Sequence, residues 1–575
     1  MLMMNKDINQ DISINGYIGG EAQRYKTTFE NSATDGGLSY PGNYFIANSV
    51  NKPVTTAGIR NRRTINSLYA SADIGYKNML FLQATWRGDW SSALTYSNGT
   101  GNNFYNYPAA SLSWIFTETF KSSLPSWITF GKLRGNLAAL GGDTDPFKIN
   151  PGFAFNGYSN ANGQTIPLST YSTSSVLQPN LKPQRKISKE LGLEMRFLEN
   201  RLGLDVSIYQ DNTKNQLLDI GTPTESGVST IFINAGNIQN KGIEISLDAT
   251  PLRTKNFSWN TALNYAVNRN MIVDLYPGRT EYDLGANIGE ISTWAVVGKS
   301  YGTLRSKINS TAFQAVDGNG KPVDDPRNGL PILQWRGDSR TAFPNRSNVW
   351  QDVGDINAKF RAGWDNTFNY KNFSLNVLLD AKIGGDFVLL SYRYGTHTGV
   401  FPNSLPGRDA KNGGIEWTSQ YANDGGTYDD GIIPEGVFKP GQMVDKPGGG
   451  TADVGGMTYQ QAYDQGLVEP SHLPQFYYRY GSSSTGVSDY WVLKNSWISL
   501  RQVAVSYRFP SKLYEKLKLN ALSLSVVGRD LLYLHNTLPY NFNPASNNSN
   551  NTAYSGEEGF LPMMRSFVFT LRASF

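Results

Sequence analysis

The stretch Ser67–Trp90, SLYASADIGYKNMLFLQATWRGDW, decides the fold. Leu68, Ala70, Ala72, Ile74 and Tyr76 take alternate places with small or polar residues between them. After Lys77-Asn78 the alternation resumes at Leu80, Leu82, Ala84 and Trp86. Strand side chains point to opposite faces in turn, so this period of two with a two-residue break reads as a hairpin with one apolar face. The pattern recurs at Leu191–Gln210, LGLEMRFLENRLGLDVSIYQ, and in the final RSFVFTLRASF, where Phe567, Phe569, Leu571, Ala573 and Phe575 hold every odd place.

Working outward, the same reading yields fourteen strands: near 11–18, 66–76, 79–90, 107–116, 127–139, 188–197, 202–209, 242–249, 257–267, 361–370, 373–383, 497–509, 519–531 and 565–575. Most approach the ~9–11 residues with which a tilted strand crosses a bilayer. Connections alternate between short ones, such as Lys77-Asn78 and Lys371-Asn372, and long ones rich in Gly, Asn, Tyr and Pro. Outer-membrane barrels show this asymmetry, with short periplasmic turns and long extracellular loops. The expected fold is an all-β transmembrane antiparallel barrel, with loops near 19–65, 140–187, 210–241, 268–360, 384–496 and 532–564. On that topology the last strand descends, and Phe575 sits in the aromatic girdle facing lipid.

Composition agrees. Charged residues make up 17% and aromatics 13% of 575 residues, with 32 Tyr and 58 Gly, against about 25% charged in average soluble domains. No run approaches the ~18 apolar residues of a membrane-spanning helix. A net charge of +5 without a clustered basic face gives no case for nucleic acid. The absence of cysteine excludes a disulfide scaffold and a thiolate metal site.

Four long stretches resemble the C-terminal part of the SusC/RagA family of TonB-dependent outer-membrane transporters of Bacteroidetes: Leu181–Leu218, Asn234–Asn270, Ala358–Phe387 and Trp497–Pro510. The resemblance implies a 22-stranded barrel with a plugged lumen. Met1–Met4, before a turn-like NKD, reads as the stub of one further strand, and about eight strands, the plug and the TonB box are not in this sequence. Met1–Gln10 also lacks the basic, apolar and small-residue succession of an export signal. The expectation is that a second polypeptide or a longer chain supplies the N-terminal portion. The family further implies a SusD-like surface lipoprotein, the TonB complex acting through the plug, a glycan or peptide ligand, and a phenylalanine-ended strand read during barrel assembly. Phe567, Phe569, Leu571 and Phe575 are the residues of that signal.

Other motifs weigh little. TWAVVGKS (Thr293–Ser300) lacks the first glycine of a phosphate-binding loop. In DGNGKPVDD (Asp317–Asp325), Lys321 and Pro322 stand where a calcium loop needs a ligand and a glycine, so a solvated turn is expected. Arg60–Arg63, RNRR, reads as the charged rim of an external loop. His397, His472 and His535 have no metal or catalytic spacing. No constellation carries an enzyme reading, and neither cofactor nor metal is expected.

The aromatic-rich segment 384–496 supplies the ligand or partner candidates Trp417, Tyr421, Tyr428, Tyr477, Tyr478, Tyr480, Tyr490 and Trp491. Aromatic faces suit sugar rings and protein surfaces alike; the competing expectation is that these rings pack the loop on itself. Charged places on the strands, among them Arg87, Asp89, Glu190, Glu194, Arg196, Asp205, Glu244, Asp248, Asp380 and Lys382, are expected on the inner face against the plug. The reading is the barrel component of an importer of oligosaccharides or oligopeptides in the outer membrane. The alternatives are an outer-membrane anchor or passive pore with adhesive loops, and a soluble β-rich glycan-binding protein.

Overall fold

Lys77 and Asn78 adopt φ of 51° and 53°, the left-handed pair of a type I′ turn that matches strand twist. The computed structural model describes residues 1–575 except 151–152, 160–164, 172–174, 178–179, 222–229, 422, 482–484, 516–517, 547–552 and 560–561. Across the turn, Ser49–Tyr76 pairs antiparallel with Leu80–Ser91, placing Tyr76 opposite Leu80, Ile74 opposite Leu82 and Ala70 opposite Trp86. The alternating residues therefore share one face, as the sequence requires.

The chain divides into two compact units, Met1–Leu252 with Asn260–Tyr282, and Arg253–Trp259 with Asp283–Phe575. In the first, Leu2–Asp7, Ile12–Leu38, Ser49–Tyr76, Leu80–Ser91, Ala109–Trp114, Ile128–Gly142, Gln184–Phe197, Leu202–Gly221 and Thr230–Arg253 each pair antiparallel with the next. In the second, Phe360–Tyr370, Phe373–Ile383, Trp497–Arg508, Ala521–Asn536 and Ser566–Ser574 do the same. Thirteen of the fourteen expected strands stand in these two series, and the fourteenth, expected near 257–267, is Phe257–Asp274. The stub is also a strand, but Asn5-Lys6-Asp7 lies inside it; the turn follows, with the Asn9 side chain accepting the backbone N–H groups of Asp11 and Ile12 at 2.8 Å.

Several strands outrun their apolar patterns. The stretch 19–65, expected as loop, is mostly strand, leaving only 39–48 as the connection. Its residues are polar on both faces, so the alternation that betrays a half-buried strand is absent while backbone pairing continues. The same correction applies to Arg60–Arg63, which sit inside Ser49–Tyr76. Arg63 bonds Asp143 at 3.2 Å and lies over the Tyr25 ring, and Arg60 lies over Phe29. Leu202–Gly221 and Thr230–Arg253 likewise run through most of 210–241.

One face of these strands is apolar and exposed: Leu68, Leu82, Leu112, Leu137, Leu191 and Ile208 in the first unit, Trp364, Leu375, Val505, Leu524 and Phe569 in the second. An apolar band of this extent is unsuited to water. The opposite face carries charge. Arg134 donates to both oxygens of Asp205 at 2.8 and 2.7 Å and to Ser207. Arg196 holds Asp248, Arg87 holds Asp89, and in the second unit Arg501 joins Asp380 and Asp530 at 2.8 and 2.7 Å. The inner-face charges expected against a plug are thus largely paired with one another.

Because the Arg134 fork matches the carboxylate in both bonds, Arg134→Met is expected to lower stability by about 1 kcal/mol, a value discounted for partial exposure. Lysine should recover only part of it. Urea titration of the heat-modifiable folded band measures this, and an unchanged midpoint would remove the pair from the account.

Candidate functional site

The long connections of the second unit are folded, not slack. Ile332–Arg336 pairs antiparallel with Thr341–Pro344 and parallel with Val437–Phe438. Asp386–Leu389 pairs with Val492–Lys494 and, in parallel, with Gly556–Glu557. The short helix Tyr459–Asp464 starts at a capping box, in which Thr458 accepts from the Gln461 N–H while the Gln461 side chain accepts from the Thr458 N–H. One core gathers Leu333, Trp335, Phe438, Val444, Tyr459 and Val468. Another gathers Ile288, Ile291, Leu304, Val388, Leu390 and Trp491.

The candidate aromatics fall into two groups on this scaffold. Trp491 is fully buried, with the Arg393 guanidinium 4.4 Å above its ring. Tyr421 is 8% exposed, donates its hydroxyl to the Asp445 carbonyl at 3.1 Å and lies under Arg340; burial pushes its phenol up to about 12. Both rings lie inside the folded loop rather than on its surface. Both are large apolar surfaces in a charge-poor segment, and the loop uses them to close its own core. Tyr480 packs edge-on to Tyr392 at 5.5 Å and tilted against Tyr490 at 5.3 Å, and burial raises its phenol as well. Tyr490 lies beneath Arg479.

Trp417 and Tyr428 do come together. They face each other across the hairpin Ile415–Thr418 and Thr427–Gly431, ring centroids 4.9 Å apart, and Tyr428 stacks on His472 at 4.8 Å. The Tyr428 hydroxyl donates to Asp424 at 2.8 Å. That bond, the Gly426 N–H and Arg340 hold the Asp424 carboxyl below its usual range. Nearby, burial raises the Asp430 carboxyl. Tyr477 is half-buried, 5.2 Å from His397, whose imidazole is lowered by burial and by Arg393. Tyr478 belongs to the helix Gln475–Tyr480, and its side chain lies outside the described residues. His472 and Arg340, which complete the aromatic group, had no sequence signal, because they come from segments far from Trp417 along the chain.

The turn expected at Asp317–Asp325 is built by Asp317 itself, whose Oδ1 accepts the Asn319 and Lys321 N–H groups at 2.9 Å. In the last strand, Ser566–Ser574, Phe567, Phe569 and Leu571 are exposed and register opposite Gly528, Val526 and Leu524; Phe575 follows the strand, 87% exposed.

A family model described as TonB dependent receptor-like, beta-barrel, matches residues 4–328, more than half the chain. TonB-dependent receptor P39 of Formosa agariphila is 26% identical over 423 residues, covering 66% of this chain and 38% of that protein. TonB-dependent receptor SusC of Bacteroides thetaiotaomicron is 25% identical over 360 residues, 60% of this chain and 34% of SusC. A chain of the RagAB peptide transporter aligns with 100% of this chain and 54% of its own, with TM-score 0.68 and 14% identity, a likeness of fold. The chain thus spans about a third of the curated relatives and about half of the RagAB chain. With strands apolar on one face and charged on the other, and with that family match, this chain belongs to the TonB-dependent receptor-like β-barrels of the outer membrane.

Proposed function

We propose that this chain is the barrel portion of a SusC-like importer of oligosaccharides or oligopeptides, working with a plug-bearing N-terminal portion and a SusD-like lipoprotein lid. In this topology the short turns, Lys77-Asn78 and Lys371-Asn372 among them, face the periplasm and the folded loops face outward. Cargo captured between loops and lid enters the barrel, and TonB, driven by the inner-membrane proton gradient, draws on the plug. The chain's own residues contribute a rigid wall and a shaped mouth. The Trp417–Tyr428–His472 stack is the proposed contact for cargo or lid.

The observation that carries this reading is the likeness to the RagAB peptide transporter along the whole chain. Its test begins with purification in detergent from outer membranes through a tag at the loop tip near Gly42. Mass spectrometry should find eight further strands, a plug and a TonB box, either on the same polypeptide or on a companion, together with a lipoprotein. Uptake of labelled oligosaccharide and oligopeptide mixtures should then cease with a protonophore or without TonB. Recovery of this polypeptide alone, or uptake indifferent to TonB, would overturn the proposal in favour of a passive pore or anchor.

A further inference from the structure

A cavity of about 290 Å³ opens in the second unit at the end of Phe373–Ile383 remote from the Lys371-Asn372 turn. Ile356, Arg361, Lys382, Phe387, Asn495 and Trp497 line it, and the segments 544–546 and 554–555 close it. Its size is at the lower bound of small-molecule sites. Two cations share its wall as direct cross-strand partners, Arg361 opposite Lys382, an arrangement that is destabilising by itself.

The carboxylates around them are engaged elsewhere. Asp386 accepts from Lys494 Nζ at 2.7 Å and from the Asp355 N–H at 2.8 Å. Asp380 holds Arg501, and Asp365 accepts the Asn376 amide. Among the described residues no ion pair or hydrogen bond ties the side chain of Arg361, which is exposed, or that of Lys382, which is only 8% exposed. A buried ammonium is ordinarily paired, because its desolvation is expensive. Two further lining residues hold a buried polar atom without a partner, Asn495 Oδ1 and the Trp497 indole N–H; these residues are 1% and 4% exposed. An exposed guanidinium, a buried ammonium with no ion pair of its own and a spare indole donor in one small recess suit an anion, and outweigh the one spare acceptor, Asn495 Oδ1.

We propose that this cavity binds a carboxylate or sulfate group of the imported cargo, so that the cargo class is acidic. That the anion arrives on cargo rests on the import reading above, whereas the site itself does not. Arg361 supplies the planar donor fork and Lys382 the point charge at the base of the recess.

The test is isothermal titration of the transporter, purified in detergent with whatever segments accompany this chain, using sodium glucuronate, sodium sulfate and, as neutral control, glucose. Both anions are expected to bind and glucose not, with affinity falling as salt is raised. Lys382→Met and Arg361→Gln should each weaken binding by about tenfold, the scale of one lost charge-assisted contact, whereas Lys382→Arg should stay within about threefold. Heat-modifiable migration of each variant confirms that the barrel is folded. Absence of heat from both anions in the wild-type protein, or equal binding by wild type and Lys382→Met, would overturn the site. If glucuronate binds at this site while no cargo is imported, the import reading falls and the site stands.

Discussion

Trp491→Ala is expected to lower the free energy of opening of the folded loops by about 3–5 kcal/mol, the range for deleting a buried aromatic from a core. Trp491 is the largest side chain with no exposure in this unit, packed among Ile291, Leu304 and Val388, and its backbone carbonyl accepts the Leu389 N–H at 2.9 Å. Removing the indole leaves a void and takes away the ring over which Arg393 rests. Hydrogen exchange should show the loss in 288–308, 386–397 and 488–494, with the strands Phe373–Ile383 and Trp497–Arg508 keeping their protection. Val400→Ala, at a side chain 73% exposed, serves as the control with no expected change. Protection in the Trp491 variant equal to wild type would contradict the core as drawn.

Phe569→Arg is expected to cut the assembled barrel in the outer membrane by tenfold or more, since an arginine facing lipid near mid-strand costs about 2–4 kcal/mol. Phe569 is 73% exposed and registers with Val526 on the apolar face. Thr570, its neighbour, faces the other way opposite Ser525, so Thr570→Lys should assemble within about twofold of wild type, having no lipid to enter. Failure of both variants alike would refute the assignment of faces. Phe575→Glu should also lower assembly; unchanged assembly would remove Phe575 from the signal.

Where one face of a strand is apolar and the other wet, the sequence announces it, and the hairpin at Ser67–Trp90 was legible down to its turn. Legibility failed where both faces are wet. Nothing in Gly19–Leu38 alternates, yet the backbone of that stretch stays paired with Ser49–Tyr69 because an unpaired ladder is the costlier choice. It failed again inside the long loops. Val388 pairs with Gly556, and the Ser310 backbone N–H donates to the Asp489 carboxylate, across separations that no local pattern encodes. For the same reason the aromatics of 384–496 could be read as a group but not sorted. Burial of Trp491 and Tyr421, and the meeting of Trp417 with Tyr428 and His472, depend on partners brought by distant segments. In the sequence Lys382 reads as one of many inward charges, and Arg361 carries no signal of its own. Only the register places them opposite each other, and only the surrounding pairs reveal that Asp380 and Asp386 are bonded to other partners.

The hairpin of Ile12–Leu38 and Ser49–Tyr76 has a further consequence. Its first strand has 27 residues, while a crossing uses only ~9–11, so roughly 50 Å of ribbon remains at ~3.3 Å per residue. With the Lys77-Asn78 turn on the periplasmic side, as proposed, that ribbon stands clear of the lipid, carrying exposed Tyr40, Tyr44 and Phe45 at its tip. An antibody or a phage fibre would meet those three rings well before it met the barrel. Selection by such agents would then act on the tip, while selection for nutrient acts on the mouth, so the two regions are free to diverge at different rates.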